Sequence, residues 1–138
     1  MGRHQDLLRA VRQGIQLTFS KQFPGLRIRT MAQDTGIGLR SCPCCHVQLP
    51  KRQQGTIGSC DLRGYIGELP WPMPFEIEIK VGRDTLRDSQ RDYAEMCDLL
   101  GVPHYVAHSQ TESLEDIEST AEETAHWLVR TYRQLRGL

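Results

Sequence analysis

The stretch FEIEIK, residues 75–80, alternates apolar and charged side chains without a break. Neighbouring side chains on a strand point to opposite faces of a sheet, so this pattern predicts a β-strand with one apolar and one charged face. Two interpretations of the charged face are open. It is either the solvated side of a half-buried strand, or an active site in which a carboxylate holds a divalent cation beside a lysine that polarises water or a phosphate oxygen.

The sequence on either side of this strand predicts the remaining elements. In chain order they are a helix at about 4–20, strands at 26–30, 60–66 and 74–81, a helix within 83–101, a strand at 103–109, and a helix from Ser113 to near Arg136. The order αβββαβα predicts a single α/β domain over residues 1–138, with a mixed four-stranded sheet flanked by helices. The first three strands should pair antiparallel, and the strand–helix–strand unit at 75–107 should pair in parallel.

Turn and capping residues mark the predicted helix ends. Pro24-Gly25 should end the first helix, and Gly101 the second. Ser113 and Asp116 form a capping box for the third. The second helix is expected to bury an apolar stripe, made of Leu86, Tyr93, Met96, Leu99 and Leu100.

Charge is distributed unevenly along a chain whose formal net charge is zero. Residues 1–52 hold nine Lys and Arg but two acids, whereas the remainder holds eight Lys and Arg and fifteen acids. The basic half predicts a surface that faces a polyanion, or else the two halves attract each other. No apolar run is long enough to span a membrane, and the polar amino terminus is unlike a signal peptide, so a cytoplasmic protein is expected.

A second acid is expected beside the charged strand. Asp61 stands seventeen residues before Glu78, at the start of the preceding predicted strand. If the two strands form a hairpin, Asp61 faces Glu78, and two convergent carboxylates suit a hard, oxygen-preferring ion such as Mg²⁺. Lys80 falls on the same face, where a cation and a phosphate would provide each charge with a partner.

Asp61 followed by Glu78-Ile79-Lys80 resembles the motif of the PD-(D/E)xK nuclease superfamily, with Cys60-Asp61 in place of Pro-Asp. Longer segments are similar to a VRR-Nuc domain: RIRTMAQDTGIG at 27–38, GTIGSCDLRGY at 55–65, and residues 76–117, in which the ExK strand is followed by Gln90 and Gly101. The resemblance covers about residues 4–119 except the cysteine-rich segment.

This resemblance implies hydrolysis of DNA phosphodiesters that depends on Mg²⁺ or Mn²⁺. Asp61 and Glu78 would be metal ligands, with the Ile79 carbonyl as a third. Lys80 would position the attacking water and stabilise charge on the phosphate, while Gln90 would hold Lys80 or the water.

The resemblance also implies a residue from the first helix at the site. Asp6 is the first candidate, followed by His4 and Gln5. Glu76, which shares the face of Glu78, is interpreted as a solvated residue or one at the rim of bound DNA.

Several basic residues are candidates for contact with DNA phosphates. Arg29 matches the arginine that VRR-Nuc domains carry in an early strand. The predicted set is Arg29, Arg40, Lys51, Arg52 and Arg83.

A cysteine-rich insertion at about 41–60, read as irregular, includes the stretch SCPCCH. Cys42, Cys45, His46 and Cys60 are the preferred ligand set for a structural Zn²⁺, with Cys44 as a substitute. Free thiols are the alternative, because one CxxC is half of a zinc motif. Cys97 is expected to be a packing residue.

These features together predict a structure-selective DNA endonuclease. A homodimer that resembles Holliday-junction resolvases would cut branched DNA with two sites related by a two-fold axis. The alternatives are a flap or nicking nuclease acting as a monomer, and a non-catalytic, zinc-stabilised DNA-binding module. Such compact nucleases are frequent in phages, and association with the nucleoid is expected.

Overall fold

The computed structural model describes residues 2–32, 39–41, 44–45, 47–50, 60–67 and 71–138. Within these ranges the chain forms one α/β domain with three helices and six strands. In chain order they are α1 (Gly2–Gln22), β1 (Ile28–Ala32), β2 (Leu39–Ser41), β3 (Gln48–Pro50), β4 (Leu62–Ile66), β5 (Met73–Val81), α2 (Asp88–Leu100), β6 (His104–Ser109) and α3 (Leu114–Arg136).

The main sheet has the strand order β1-β4-β5-β6. β1 pairs with β4, and β4 with β5, in antiparallel fashion, whereas β5 and β6 are parallel and are joined through α2. The predicted mixed four-stranded sheet is therefore confirmed. β5, which contains the FEIEIK stretch, is an inner strand of this sheet.

The apolar face of β5 forms the core of the domain. Phe75, Ile77 and Ile79 are fully buried there in one cluster with side chains of α1 and α3. Gly64 of β4 makes room for this packing, because a Cβ atom built on it would lie 2.2 Å from the ring of Phe75. The helices contribute apolar residues at helical spacing, among them Leu7, Val11, Ile15, Phe19, Ile117 and Leu128.

The charged face of β5 is buried too, so the interpretation of a solvated face is wrong. Glu76, Glu78 and Lys80 are 6%, 2% and 3% exposed. Side chains of α2 contact this face, as the hydrogen bonds of Gln90 and Tyr93 to its two glutamates show. The alternation of apolar and charged residues correctly predicts the two faces of β5. It does not predict that a helix covers the charged face.

Most helix ends agree with the prediction. α1 ends at Gln22, just before Pro24-Gly25, and Gly101 closes α2 in the left-handed conformation with φ of 72°. The side-chain oxygen of Ser113 accepts a hydrogen bond from the backbone N–H of Asp116 at 3.2 Å, which caps α3.

Two local predictions are wrong. The cysteine-rich segment was expected to be irregular, yet β2 and β3 pair antiparallel within and beside it. The expected stripe of α2 is also displaced: Tyr93 and Cys97 are its buried residues, whereas Leu99 is 87% exposed and Met96 and Leu100 are exposed as well.

In the part of the chain that the structure describes, no helix combines the length and the apolar character that crossing a membrane requires.

Candidate active site

Asp61 lies just beyond the amino-terminal end of β4, where it reaches the neighbouring strand. Leu62, the first residue of β4, pairs with Ile77 of β5 at the end of the ladder between the two strands. One residue further, a carboxylate oxygen of Asp61 accepts a hydrogen bond from the backbone N–H of Ile79 at 2.9 Å. The side chain thus continues the ladder and is held beside Glu78, as the predicted hairpin required.

His4 is the residue of α1 that reaches this site. Its Nε2 lies 3.5 Å from a carboxylate oxygen of Asp61, and the hydrogen bond to Asp61 raises the pKa of His4 against the opposing effect of burial. Asp6, the first candidate, instead forms ion pairs with Arg3 and Arg9, at 3.4 and 3.8 Å. The ranking of Asp6 above His4 does not agree with this geometry.

Glu78 is the most deeply buried acid of the site. Its Oε1 accepts a hydrogen bond from Nε2 of Gln90 at 2.9 Å and lies 3.9 Å from Nζ of Lys80. Its buried Oε2 has no hydrogen-bond partner among the described residues. Burial, reinforced by the neighbouring Asp61, raises the pKa of Glu78. A carboxylate oxygen in this position needs a proton or a cation.

The pKa of Asp61 is shifted in the opposite direction to that of Glu78. Burial alone would raise its pKa, but the contact with His4, the neighbouring Glu78 carboxyl, which keeps its own proton, and the hydrogen bond from the backbone N–H of Ile79 together lower it. Two neighbouring carboxyls whose pKa values are driven apart cannot both be ionised without a compensating positive charge.

Gln90 is oriented by the helix end on which it lies. Its side-chain oxygen accepts a hydrogen bond from the backbone N–H of Arg87 at 2.9 Å, so the amide nitrogen is directed at Glu78. Gln90 was expected to hold Lys80 or a water. In this structure its side-chain nitrogen donates to Glu78 instead.

Lys80 is buried between two acids. Its Nζ donates a hydrogen bond to Asp84 at 3.4 Å and lies 3.9 Å from Glu78. Asp84 was not predicted to belong to the site, although it follows Lys80 by four residues in the turn after β5. Its negative charge also contributes to the raised pKa of His4.

Glu76 belongs to a second polar cluster on the same face. The hydroxyl of Tyr93 lies 2.6 and 2.7 Å from the two carboxylate oxygens of Glu76, Arg63 donates to Oε1 at 3.2 Å, and the thiol of Cys97 lies 3.4 Å from Oε2. The interpretation of Glu76 as a solvated or DNA-rim residue is wrong. Cys97 is buried, as expected for packing, and it also contacts this carboxylate.

The donor set suits a divalent cation in chemistry but is small. Among the described residues there is no group of three or more His, Cys, Asp and Glu side chains that could hold a metal ion. The available donors are the carboxylates of Asp61 and Glu78, including the unpaired Oε2 of Glu78. Oxygen ligands of this kind suit Mg²⁺, which binds through one or two carboxylates and keeps several waters. The third ligand, the Ile79 carbonyl, stays a prediction.

The zinc prediction falls mostly outside the described residues, which exclude Cys42 and His46. Cys44 and Cys45 are exposed. Cys60 is buried in a cluster with Tyr93 and Cys97, and burial raises the pKa of its thiol. A raised pKa favours the neutral thiol, whereas zinc binds the thiolate.

The predicted DNA contacts are described only in part. Arg29 is exposed on β1 opposite Tyr65, which places it on the sheet face that carries Glu78. Arg83 is exposed in the turn that follows β5. Lys51, Arg52 and the side chain of Arg40 lie outside the described residues.

Comparison of the chain with protein-family models, with curated proteins and with solved structures found no match in any of the three.

Proposed function

We propose that the chain is a metal-dependent, structure-selective DNA endonuclease of the PD-(D/E)xK type, built like a VRR-Nuc domain. The observation that supports this most directly is the buried Oε2 of Glu78, which has no hydrogen-bond partner among the described residues. It belongs to a carboxyl group that lies beside Asp61 and Lys80. An arrangement selected for stability alone would pair this oxygen, just as Tyr93 contacts both carboxylate oxygens of Glu76 on the same strand.

Asp61 and Glu78 would hold Mg²⁺ or Mn²⁺. When bound there, such an ion supplies Lewis-acid stabilisation of charge on the phosphate and lowers the pKa of a bound water. His4 and the N–H of Ile79 both contact a carboxylate oxygen of Asp61 and keep that carboxylate directed towards Glu78. Gln90 fixes the orientation of Glu78 in the same way.

Lys80 provides the positive charge that the reaction requires of the protein itself. Its ammonium group is nearly excluded from solvent and lies between Glu78 and Asp84. In that position it can orient the attacking water and stabilise negative charge that develops on the phosphate oxygens. Because both acids already contact it, Lys80 needs little rearrangement to do so.

Phosphates would approach the site past exposed arginines. Arg83 and Arg87 are exposed in the segment between β5 and α2, and the charge of Arg87 acts on Glu78. Contacts of this kind neutralise the backbone without reading bases, so selectivity would follow the shape of the DNA. Cutting both strands of a junction would require two such sites, and we propose a homodimer for this reason.

The decisive experiment compares cleavage of four-way, flap, nicked and linear DNA in Mg²⁺, in Mn²⁺ and in EDTA. We expect cleavage with either metal, none in EDTA, and a preference for branched DNA. Glu78→Gln serves as the matched inactive variant because it keeps the shape of the side chain and removes its charge.

Other outcomes would assign the chain differently. Binding of DNA in EDTA without cleavage in either metal would identify a binding module and refute the nuclease. Cleavage of flaps or nicks by a monomer, measured by sedimentation, would retain the chemistry and refute the junction-cutting homodimer.

A further inference from the structure

A patch of aromatic and basic side chains lies at the end of the sheet opposite the candidate active site. Trp71 lies two residues before the start of β5, and a cavity of about 360 Å³ beside it is lined by Arg27, Tyr132 and Arg136, among others. We refer to Trp71, Tyr132, Arg133 and Arg136, together with Phe23, as the Trp71 patch. It plays no part in the chemistry proposed above.

Trp71 is held in an exposed position. Its side chain is 76% exposed, the largest side chain of the domain to be so among the described residues. Its backbone carbonyl accepts a hydrogen bond from Arg136 on α3. Proline precedes and follows it in the sequence, and the ring of proline restricts the backbone. Because its backbone is restrained, binding of a flat partner to this indole has only its two side-chain torsions left to order.

Two arginines of α3 contact aromatic rings of the Trp71 patch. The guanidinium of Arg133 lies 5.2 Å from the ring centroid of Phe23, and that of Arg136 lies 6.0 Å from the centroid of Tyr132. None of the described side chains that line the cavity is acidic. The patch therefore combines a free stacking surface with positive charge held at defined positions.

We infer that the Trp71 patch is a binding site for single-stranded nucleic acid, in which an unpaired base stacks on Trp71 and the adjoining phosphates contact the arginines. Stacking requires a base that is free of its partner strand, and every base offers such a face. An acidic protein segment would satisfy the arginines but would not explain an exposed indole among them.

The patch is far enough from the candidate active site to act separately. Trp71 precedes Glu78 by seven residues of mainly extended chain, which span about 23 Å. α1 leads from His4 at the site to Gln22, which hydrogen-bonds Arg133 of the patch, over a rise of about 27 Å. Single strands bound here would thus be detectable whether or not the chain cleaves DNA.

The test uses the fluorescence of Trp71 in the full chain in EDTA. Trp127, the second tryptophan, is stacked on Tyr105 with centroids 4.6 Å apart, and Trp127→Phe leaves Trp71 as the sole indole. In this background we expect quenching by oligothymidylate and by oligouridylate of about ten nucleotides. Comparison of the two oligonucleotides shows whether the site distinguishes DNA from RNA.

Substitutions then separate stacking from charge. With a labelled oligonucleotide and anisotropy as the readout, Trp71→Ala should weaken binding roughly ten-fold or more, whereas Trp71→Phe should retain most of it. Because the side chain of Trp71 is exposed and its carbonyl remains in place, Trp71→Ala should leave the melting temperature unchanged. Arg136→Gln should reduce the dependence of binding on salt by about one phosphate contact.

Three results would overturn the inference. They are an absence of quenching at low salt, equal oligonucleotide affinity for Trp71→Ala and the unsubstituted chain, or quenching by dextran sulfate as strong as by oligothymidylate. If Trp71→Ala instead changed the sedimentation of the protein without changing oligonucleotide affinity, the patch would be a contact between copies of the chain.

Discussion

Glu76 and Glu78 lie two residues apart on the same face of β5 and are almost equally buried, yet their surroundings differ. Both carboxylate oxygens of Glu76 have hydrogen-bond partners, since Tyr93 and Arg63 contact Oε1 and the thiol of Cys97 contacts Oε2. Glu78 receives one hydrogen bond from Gln90, and its second oxygen is unpaired among the described residues. Burial alone therefore does not identify a functional acid. What distinguishes the two is the hydrogen-bonding capacity that the fold leaves unused.

The difference between Glu78 and Glu76 should have its largest effect on the rate of DNA cleavage. Glu78→Gln should lower the rate of DNA cleavage by roughly 10³-fold, because loss of a metal ligand removes several kcal/mol of charge stabilisation. Asp61→Asn and Lys80→Met should have effects of similar size. Single-turnover cleavage of branched DNA measures the loss, and Glu76→Gln, which should remain active, is the control. Comparable rates for Glu78→Gln and the unsubstituted chain would remove Glu78 from the mechanism.

Stability should show the reverse order. Glu76→Gln should lower the free energy of unfolding by about 2 kcal/mol, since a charged hydrogen-bond acceptor of Arg63 and Tyr93 is lost. Tyr93→Phe should cost a similar or smaller amount. Glu78→Gln, in contrast, should leave stability in EDTA unchanged or increase it. Urea unfolding followed by circular dichroism provides the measurement. The comparison fails if Glu78→Gln is the more destabilised of the two glutamate variants.

Gln90→Ala tests the hydrogen bond that distinguishes the Glu78 cluster. We expect cleavage to fall by about 10- to 100-fold, as is typical when a residue that orients a metal ligand is removed. The apparent affinity for Mn²⁺ should fall as well, measured by titration of melting temperature against Mn²⁺. Gln90→Asn is a useful control because it retains an amide on a shorter side chain. A loss of stability with unchanged cleavage would restrict Gln90 to helix capping.

The smallest effect is expected at α1. His4→Ala should lower cleavage by about ten-fold through loss of its contact with Asp61, whereas Asp6→Ala should have no effect. Both residues lie in the first turns of the helix, so the pair controls for fraying of α1. Equal rates for the two variants would show that no residue of α1 assists the site.

The sequence pattern was sufficient for the order of the three helices and the four strands of the main sheet, for the pairing of those strands and for the convergence of Asp61 with Glu78. His4 could also have been identified, because it lies on the same helical stripe as Leu8, Val11 and Ile15, whereas Asp6 does not. The buried side of α2 was predicted wrongly, because the most apolar side of this helix was expected to be buried. This helix packs on the charged face of β5, so its buried side presents the hydroxyl of Tyr93 and the thiol of Cys97.

Other features depend on tertiary contacts that strand and helix periods do not encode. Asp84 reaches Lys80 only because the turn after β5 folds back. The short strands β2 and β3 were not predicted because cysteine and proline are frequent in that segment and favour irregular structure. The exposed position of Trp71 likewise follows from how β5 begins next to the end of α3.

Gln90 uses one amide for two purposes, since its oxygen accepts from the N–H of Arg87 and its nitrogen donates to Glu78. This restricts which substitutions the position can tolerate in related sequences. Glu would preserve the helix cap but direct a negative charge at Glu78, and Lys or Met would retain length but lose the acceptor. Positions 78 and 90 are therefore expected to vary together. A related sequence without an acid at position 78 has no need of an amide at position 90.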